Sequence, residues 1–137
     1  MEVHLVPLIT ILALIQYFRM GIAVGQARGK YNIKAPATTG NPDFERILRV
    51  QMNTLEALPM FLGSMWLFAM YINPLIAGLL GIVWIIGREM YSIGYTKAAE
   101  QRGAGFGVQA IATIIMTLGS LAGIIAAMAG SSLAFTL

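Results

Sequence analysis

FERILRVQMNTLEALP, Phe44 to Pro59, opens a segment that otherwise reads as a membrane-spanning helix. At about 100° per residue, Glu45, Arg49, Asn53 and Glu56 fall within about 80° of one another on a helical wheel, so they form one polar face. A centrally placed Arg or Asp in a membrane helix costs on the order of 2.5 to 3.5 kcal/mol in insertion measurements, which argues against this face pointing at lipid. It must face protein, water or a ligand.

Working outward, the 137 residues are 58% hydrophobic and only 11% charged, outside the range of an ordinary soluble domain. The expected fold class is an all-α integral membrane four-helix bundle, a single domain over residues 1–137. The chain contains no cysteine, which excludes disulfides, thiolate metal sites and a cysteine nucleophile, so any thiol chemistry must use a borrowed thiol. The single histidine, His4, stands near the terminus without a ligand partner. Neither a metal nor a nucleic acid is expected as a partner.

Residues 5–27 form the first apolar segment, long enough to cross a hydrocarbon core that takes about 20 helical residues. Only Glu2 and His4 precede it as polar groups, unlike the basic start of a signal peptide. Gly21, Gly25 and Gly29 make two overlapping GxxxG spacings, read here as close helix packing. A basic, Pro- and Gly-punctuated loop follows from Arg28 to Pro42. Asn41-Pro42 then has the form of an N-cap followed by proline at the first helical position, and the second helix is expected over 42–72.

Asn73-Pro74 is an uncharged tight turn, so the third helix, expected over 75–102 with Gly103 as its stop, returns antiparallel to the second. Simple depth matching across that turn puts Glu56 level with Tyr91, Asn53 with Gly94 and Tyr95, and Glu45 with Arg102. Arg88, Tyr91, Tyr95 and Arg102 share a sector of about 60° on the third helix, giving a second polar stripe at the depth of the first. The Gly103–Gly107 run, GAGFG, follows no strand and lacks a P-loop lysine, and is read as an interhelical turn. The fourth helix is expected over 108–130, with Gln109, Thr113, Thr117 and Ser120 as interhelical hydrogen-bonding groups.

Every Lys and Arg except Arg19 lies in or beside the first loop or the connection between helices three and four. With four spans, the positive-inside rule places both connections in the cytoplasm and the termini on the opposite side, so that the polar stripes lie at the cytoplasmic face. Arg88 and Lys97 read as solvated or lipid-phosphate contacts, and Arg19 as a partner of Glu56 or of lipid; none is assigned a functional role.

The pattern FERxxRxQxNxxExxP, together with the Gln26–Gly40 region and REMYSIGYTKAAEQR at Arg88–Arg102, resembles the membrane-associated proteins in eicosanoid and glutathione metabolism (MAPEG), which include microsomal glutathione transferases. The resemblance covers nearly the whole chain. It implies a homotrimer of four-helix subunits with glutathione between neighbouring subunits. It further implies that Arg28, Arg49, Gln51, Asn53, Glu56, Tyr91 and Tyr95 bind glutathione and that Arg102 stabilises its thiolate. Gln51 lies across the wheel from Arg49, which a site shared between subunits would explain.

The chemistry of these groups suits such a ligand: arginines hold carboxylates, Glu56 takes the ammonium, and a lipophilic co-substrate, an electrophile or a lipid hydroperoxide, enters from the membrane lipid. Transferase and peroxidase activities are not separated by these residues. Two departures bear on substrate: the leukotriene-C synthase branch has arginine and tyrosine where this chain has Gly29 and Ala57. The non-enzymatic lipoxygenase-activating branch lacks the arginines matching Arg49 and Arg102, both present here. Two other function classes remain open at this point, a non-catalytic lipid-binding scaffold and a small proton-coupled exporter carrying protons on Glu56.

Overall fold

The computed structural model describes residues 2–135. Four helices, α1 (Glu2–Tyr31), α2 (Pro42–Tyr71), α3 (Pro74–Lys97) and α4 (Gly103–Met128), make up almost all of it, with a 3-10 turn at Ala99–Arg102 joining the last two. Consecutive helices are antiparallel. Gln51, early in α2, meets Tyr17 at the middle of α1, while Trp66, late in α2, meets Thr10 nearer the start of α1.

One device starts both helices of the central hairpin. The Asn41 side chain accepts the N–H groups of Asp43 (2.9 Å) and Phe44 (3.2 Å), and the Asn73 side chain accepts that of Ile76 (2.9 Å). Each asparagine is followed by proline at the first helical position, where no N–H is needed and φ is already set. Asn73 does more. Its amide also donates to the carbonyl of Phe135 (2.7 Å), and the Phe135 N–H donates to Ile72 (3.0 Å), which ties residues after α4 to the α2–α3 turn.

The core occupies the middle of the bundle, where Val6, Ala13, Phe61, Met65, Trp84 and Met116 are buried together. Phe61 of α2 and Trp84 of α3 stack with ring centroids 3.9 Å apart and planes within 4°. Around this core, Ile11, Ile15, Phe18, Leu118 and Ile125 are turned outward, as expected where the solvent is lipid rather than water. Three stretches, His4–Tyr31, Pro74–Lys97 and Ala99–Met128, are long and apolar enough to cross a membrane. The fourth, α2, is set apart by its polar N-terminal half.

The third helix ends five residues earlier than the sequence pattern suggests. Ala98 is extended (φ −158°, ψ 137°), and Arg102 lies in the 3-10 turn instead of on α3. The GAGFG run is not a turn but the first turns of α4. Its middle glycine serves close approach, while Gly103 and Gly107 have open space at the Cβ position: a Cβ on Gly105 would lie 2.1 Å from the Tyr91 backbone nitrogen and 2.7 Å from the Gly87 carbonyl oxygen. Likewise a Cβ on Gly94 would lie 2.3 Å from the Gln101 carbonyl. Small residues were needed where two backbones touch, not where the chain reverses.

The converse holds on α1, which continues through Arg28 to Tyr31. Gly21, Gly25 and Gly29 have open space at the Cβ position, so the close packing expected of them is not made within the chain. On α4, Thr113 and Thr117 hydrogen-bond carbonyls of their own helix. Only Ser120 of the four expected groups is seen to reach across, to the Ser64 carbonyl at 3.2 Å.

Candidate functional site

The polar half of α2 meets α3 and the start of α4 around an open cavity of about 380 Å³, lined by Arg49, Asn53, Tyr91, Arg102 and Phe106. Helical periodicity puts Arg49, Asn53 and Glu56 on one side of α2, and the first two both bond to the third. Arg49 donates to the two Glu56 carboxylate oxygens at 3.1 and 3.4 Å, and the Asn53 amide donates to Glu56 at 3.4 Å. These contacts are long and the ion pair is about half exposed, with side chains 45% and 55% accessible. A pair so placed gains little from its own Coulomb attraction, and its groups remain open to a charged ligand.

Below the cavity lies Arg88, which is fully buried. Its guanidinium donates two N–H groups to the Asn53 carbonyl oxygen, at 3.0 and 2.6 Å, and lies 4.5 Å from the Tyr91 ring centroid. The reading of Arg88 as a solvated or lipid-phosphate group is therefore corrected. Depth matching put Asn53 opposite Gly94 and Tyr95, but the length of the arginine side chain lets a residue nearer the hairpin turn reach it. The signal was available: Arg88 shares the helical sector of Tyr91 and Tyr95 and is preceded by fourteen uncharged residues from Pro74.

Tyr91 is buried against Arg88 and packs on Tyr95, ring centroids 5.5 Å apart. Arg102 stands over the Tyr95 ring at 5.5 Å. It comes there because Ala98 breaks α3 and the 3-10 turn folds the chain back, not because Arg102 continues the α3 stripe. The structure thus brings Arg49, Asn53, Glu56, Tyr91, Tyr95 and Arg102 to one locality. Phe106, in the first turn of α4, also lines the cavity and lies tilted near Tyr91, 6.4 Å between centroids; nothing in its sequence context distinguishes it.

A second, apolar recess of about 280 Å³ adjoins the first. Asn53 and Phe106 line both, and the recess continues between α2 and α4 past Glu56, Ala57, Met60, Gln109 and Ile114. One end of this surface is charged and the other suits hydrocarbon.

Arg28 and Gln51 lie elsewhere. Arg28 donates to the Ala37 carbonyl (2.8 Å) and sits over the Phe44 ring, holding the first loop against α2. Gln51 donates to the Tyr17 hydroxyl of α1 (3.0 Å). Within one chain neither joins the cavity. Arg19 pairs with Glu89 of α3, and Gln16 donates to the same carboxylate at 3.0 Å, so Glu56 is not the partner of Arg19. Among the described residues no cluster of three or more His, Cys, Asp or Glu groups is placed to hold a metal ion.

The chain is similar over most of its length to several known proteins. An uncharacterized protein of Synechocystis is 52% identical over 118 residues, covering 86% of each chain. Human microsomal glutathione S-transferase 2 is 40% identical over 119 residues, covering 84% of this chain and 81% of its own. Guinea pig (Cavia porcellus) leukotriene C4 synthase is 34% identical over 136 residues, 96% of this chain and 91% of its own. The MAPEG family model matches residues 6–122, from the first buried turn of α1 well into α4. A match running through all four helices, and through every residue that borders the cavity, means that the chain belongs to the MAPEG family of membrane proteins.

Proposed function

We propose that this protein is a membrane-bound glutathione transferase that conjugates the glutathione thiolate to lipophilic electrophiles, and that it also reduces lipid hydroperoxides. The observation that carries the reading is the junction of two recesses: cationic and phenolic groups around Arg49, Tyr91 and Arg102 on one side, and an apolar groove leading from Glu56 to Ile114 on the other. A tripeptide with two carboxylates, an ammonium and a thiol suits the first, and a hydrocarbon co-substrate the second. Similarity to microsomal glutathione S-transferase 2 supports it.

In this reading Arg49 holds a glutathione carboxylate and Glu56 its ammonium, exchanging their mutual bond for bonds to ligand. Asn53, Tyr91 and Tyr95 orient the backbone of the tripeptide, and Arg102 faces the sulfur. A guanidinium beside the thiol favours its charged form and releases the proton to water. The sulfur lone pair then attacks an electrophilic carbon, forming S–C while the leaving group departs with the bonding electrons. With a hydroperoxide, sulfur attacks the terminal oxygen, O–O breaks to give an alcohol, and a second glutathione displaces water to form the disulfide.

Arg28 and Gln51 enter the site only from a neighbouring copy, so the active form is a homotrimer with shared sites. All four helices span the bilayer, α2 shielding its polar face against protein, with the Arg28–Pro42 loop and the 3-10 turn in the cytoplasm and the termini opposite. A difference absorbance spectrum of purified protein with glutathione at neutral pH tests the proposal. A thiolate band is expected. Its absence, with lipid still bound, indicates a scaffold, and substrate-dependent proton flux in proteoliposomes indifferent to glutathione indicates an exporter.

A further inference from the structure

Among the described residues Arg88 is the most confined charge, and it has no part in the proposed chemistry. It is fully buried between Trp84 and Tyr91, 5.8 and 4.5 Å from their ring centroids, its Nε has no hydrogen-bond partner, and it forms no ion pair among the described residues. Both remaining nitrogens go to one atom, the Asn53 carbonyl oxygen.

A side-chain amide has one accepting and one donating end. With Oδ1 held by two guanidinium N–H groups, flipping the amide would set its NH2 against those donors, so Nδ2 is fixed towards Glu56, which it reaches at 3.4 Å. Asn53 lines the cavity and the apolar recess alike. We propose that Arg88 is a positioning residue for glutathione binding: it sets the Asn53 amide so that a donor, not an acceptor, faces Glu56 and the ligand, and it supports the Tyr91 ring from beneath. This rests on the glutathione-transferase reading above.

The same geometry accounts for an arginine here. A lysine ammonium is a point charge that cannot place two donors on one carbonyl in a fixed plane, and the aromatic faces on either side accept a flat cation. The role is confined to binding because Arg102, which faces the sulfur in that reading, is held separately over Tyr95.

Glutathione titrations of the full-length protein with Arg88→Lys, Asn53→Ala and the double variant test this. Each single change is expected to raise Kd about tenfold, the loss of a charge-assisted contact, with the double variant within about threefold of the worse single. For Arg88→Lys, which touches no ligand, conjugation at saturating glutathione should stay within about twofold of the unsubstituted protein, a KM effect without a kcat effect. Losses that multiply in the double variant, or a kcat loss equal to the KM change, overturn the proposal. Should Arg88→Lys fail to fold, Asn53→Asp decides: it keeps an acceptor for Arg88 and removes the donor, so it is expected to fold and to bind as weakly as Asn53→Ala, and full affinity overturns the proposal. No glutathione binding by the unsubstituted protein overturns the functional reading and this inference together, whereas normal binding with independent losses overturns this inference alone.

Discussion

The two sides of α2 handle polar groups in opposite ways. On the side towards α3 and α4, Arg49, Asn53 and Glu56 are joined by long, half-exposed contacts beside an open cavity. On the side towards α1, Gln51 is tied to Tyr17, and across the bundle Gln16 and Arg19 converge on Glu89. Arg28, in the last turn of α1, is likewise occupied with a backbone carbonyl of the loop that follows. The first set is loosely satisfied and ready to exchange partners, while the second is engaged within the fold, with Gln16 Oε1 left unpartnered. Residues of one sequence motif are thus divided between a site and a surface, and periodicity alone assigned them to different directions without saying which was which.

The sharpest way to break this comparison is at the glycines, because the packed side of α3 has no room and the outer side of α1 has plenty. Gly105→Ala would bring a Cβ within 2.1 Å of the Tyr91 nitrogen and 2.6 Å of its Cα, backbone that cannot step aside. It should destabilise by about 3 kcal/mol or more, by forcing α3 and α4 apart beneath the cavity. Gly25→Ala, with nothing within 4 Å in the chain, should instead leave monomer stability unchanged or raise it by about 0.5 to 1 kcal/mol through helix propensity. Thermal melts in detergent compare the two, and equal losses would mean that the α3–α4 approach is not as tight as described.

That contrast also explains what was and was not legible beforehand. Charge on one face of an otherwise apolar helix is a rare pattern with few physical explanations, so α2, its Asn-Pro start and the cavity residues Arg49, Asn53 and Glu56 could be read directly. Glycine is ambiguous. The same residue permits a turn, a close approach or neither, and spacing does not reveal what lies opposite, so GAGFG reads as a turn and Gly21–Gly29 as a packed seam until the fold shows otherwise. Arg102 was placed in the right company for an incomplete reason, since continuing α3 on a wheel cannot foresee the break at Ala98. For Arg88 the wheel sector shared with Tyr91 and the fourteen uncharged residues before it point inward, but its full burial is visible only in the fold.

At Arg102 the next-largest effect is expected, and it concerns rate. Arg102→Leu should bind glutathione within a few-fold of the unsubstituted protein while the bound thiol returns to its free pKa of about 8.5. At pH 7 the thiolate fraction then falls to roughly 3%, so conjugation should drop about thirtyfold and recover as pH rises through 8.5. Stopped-flow absorbance at the thiolate band follows both. Retention of the band and of the neutral-pH rate would move the activating role to another group, Tyr95 being next in line beneath the same guanidinium.

Arg49→Ala and Glu56→Ala probe the loosely satisfied side itself. Their mutual bond is half exposed, so little folding stability should be lost, but each should weaken glutathione by about 1 to 3 kcal/mol through loss of a charge-assisted contact. Isothermal titration and a thermal melt on the same sample separate the two effects. A variant that unfolds instead of merely binding weakly would show that the pair holds α2 together.

The smallest effect, and the most discriminating, belongs to Gln51 on the matched side. In the single chain its amide is engaged with Tyr17, on the flank away from the cavity. If sites are confined to one subunit, Gln51→Ala should change only the α1–α2 contact and leave glutathione affinity intact. If the proposed homotrimer brings this flank against the Arg49 cavity of a neighbour, the amide donates to the ligand from across the interface, and its loss should weaken binding by about 0.5 to 1.5 kcal/mol, one ordinary hydrogen bond. Mixed assembly gives the decisive form of the measurement. Co-expressed Gln51→Ala and Arg49→Ala chains would form some interfaces in which both intact residues face each other, restoring a fraction of tight sites that neither variant has alone. Titration of the mixture should therefore show a class of sites tighter than those of either parent, because only a site built from two subunits can be repaired by a partner carrying a different lesion. A mixture that titrates as the plain sum of its two parents would assign Gln51 to the fold of its own chain.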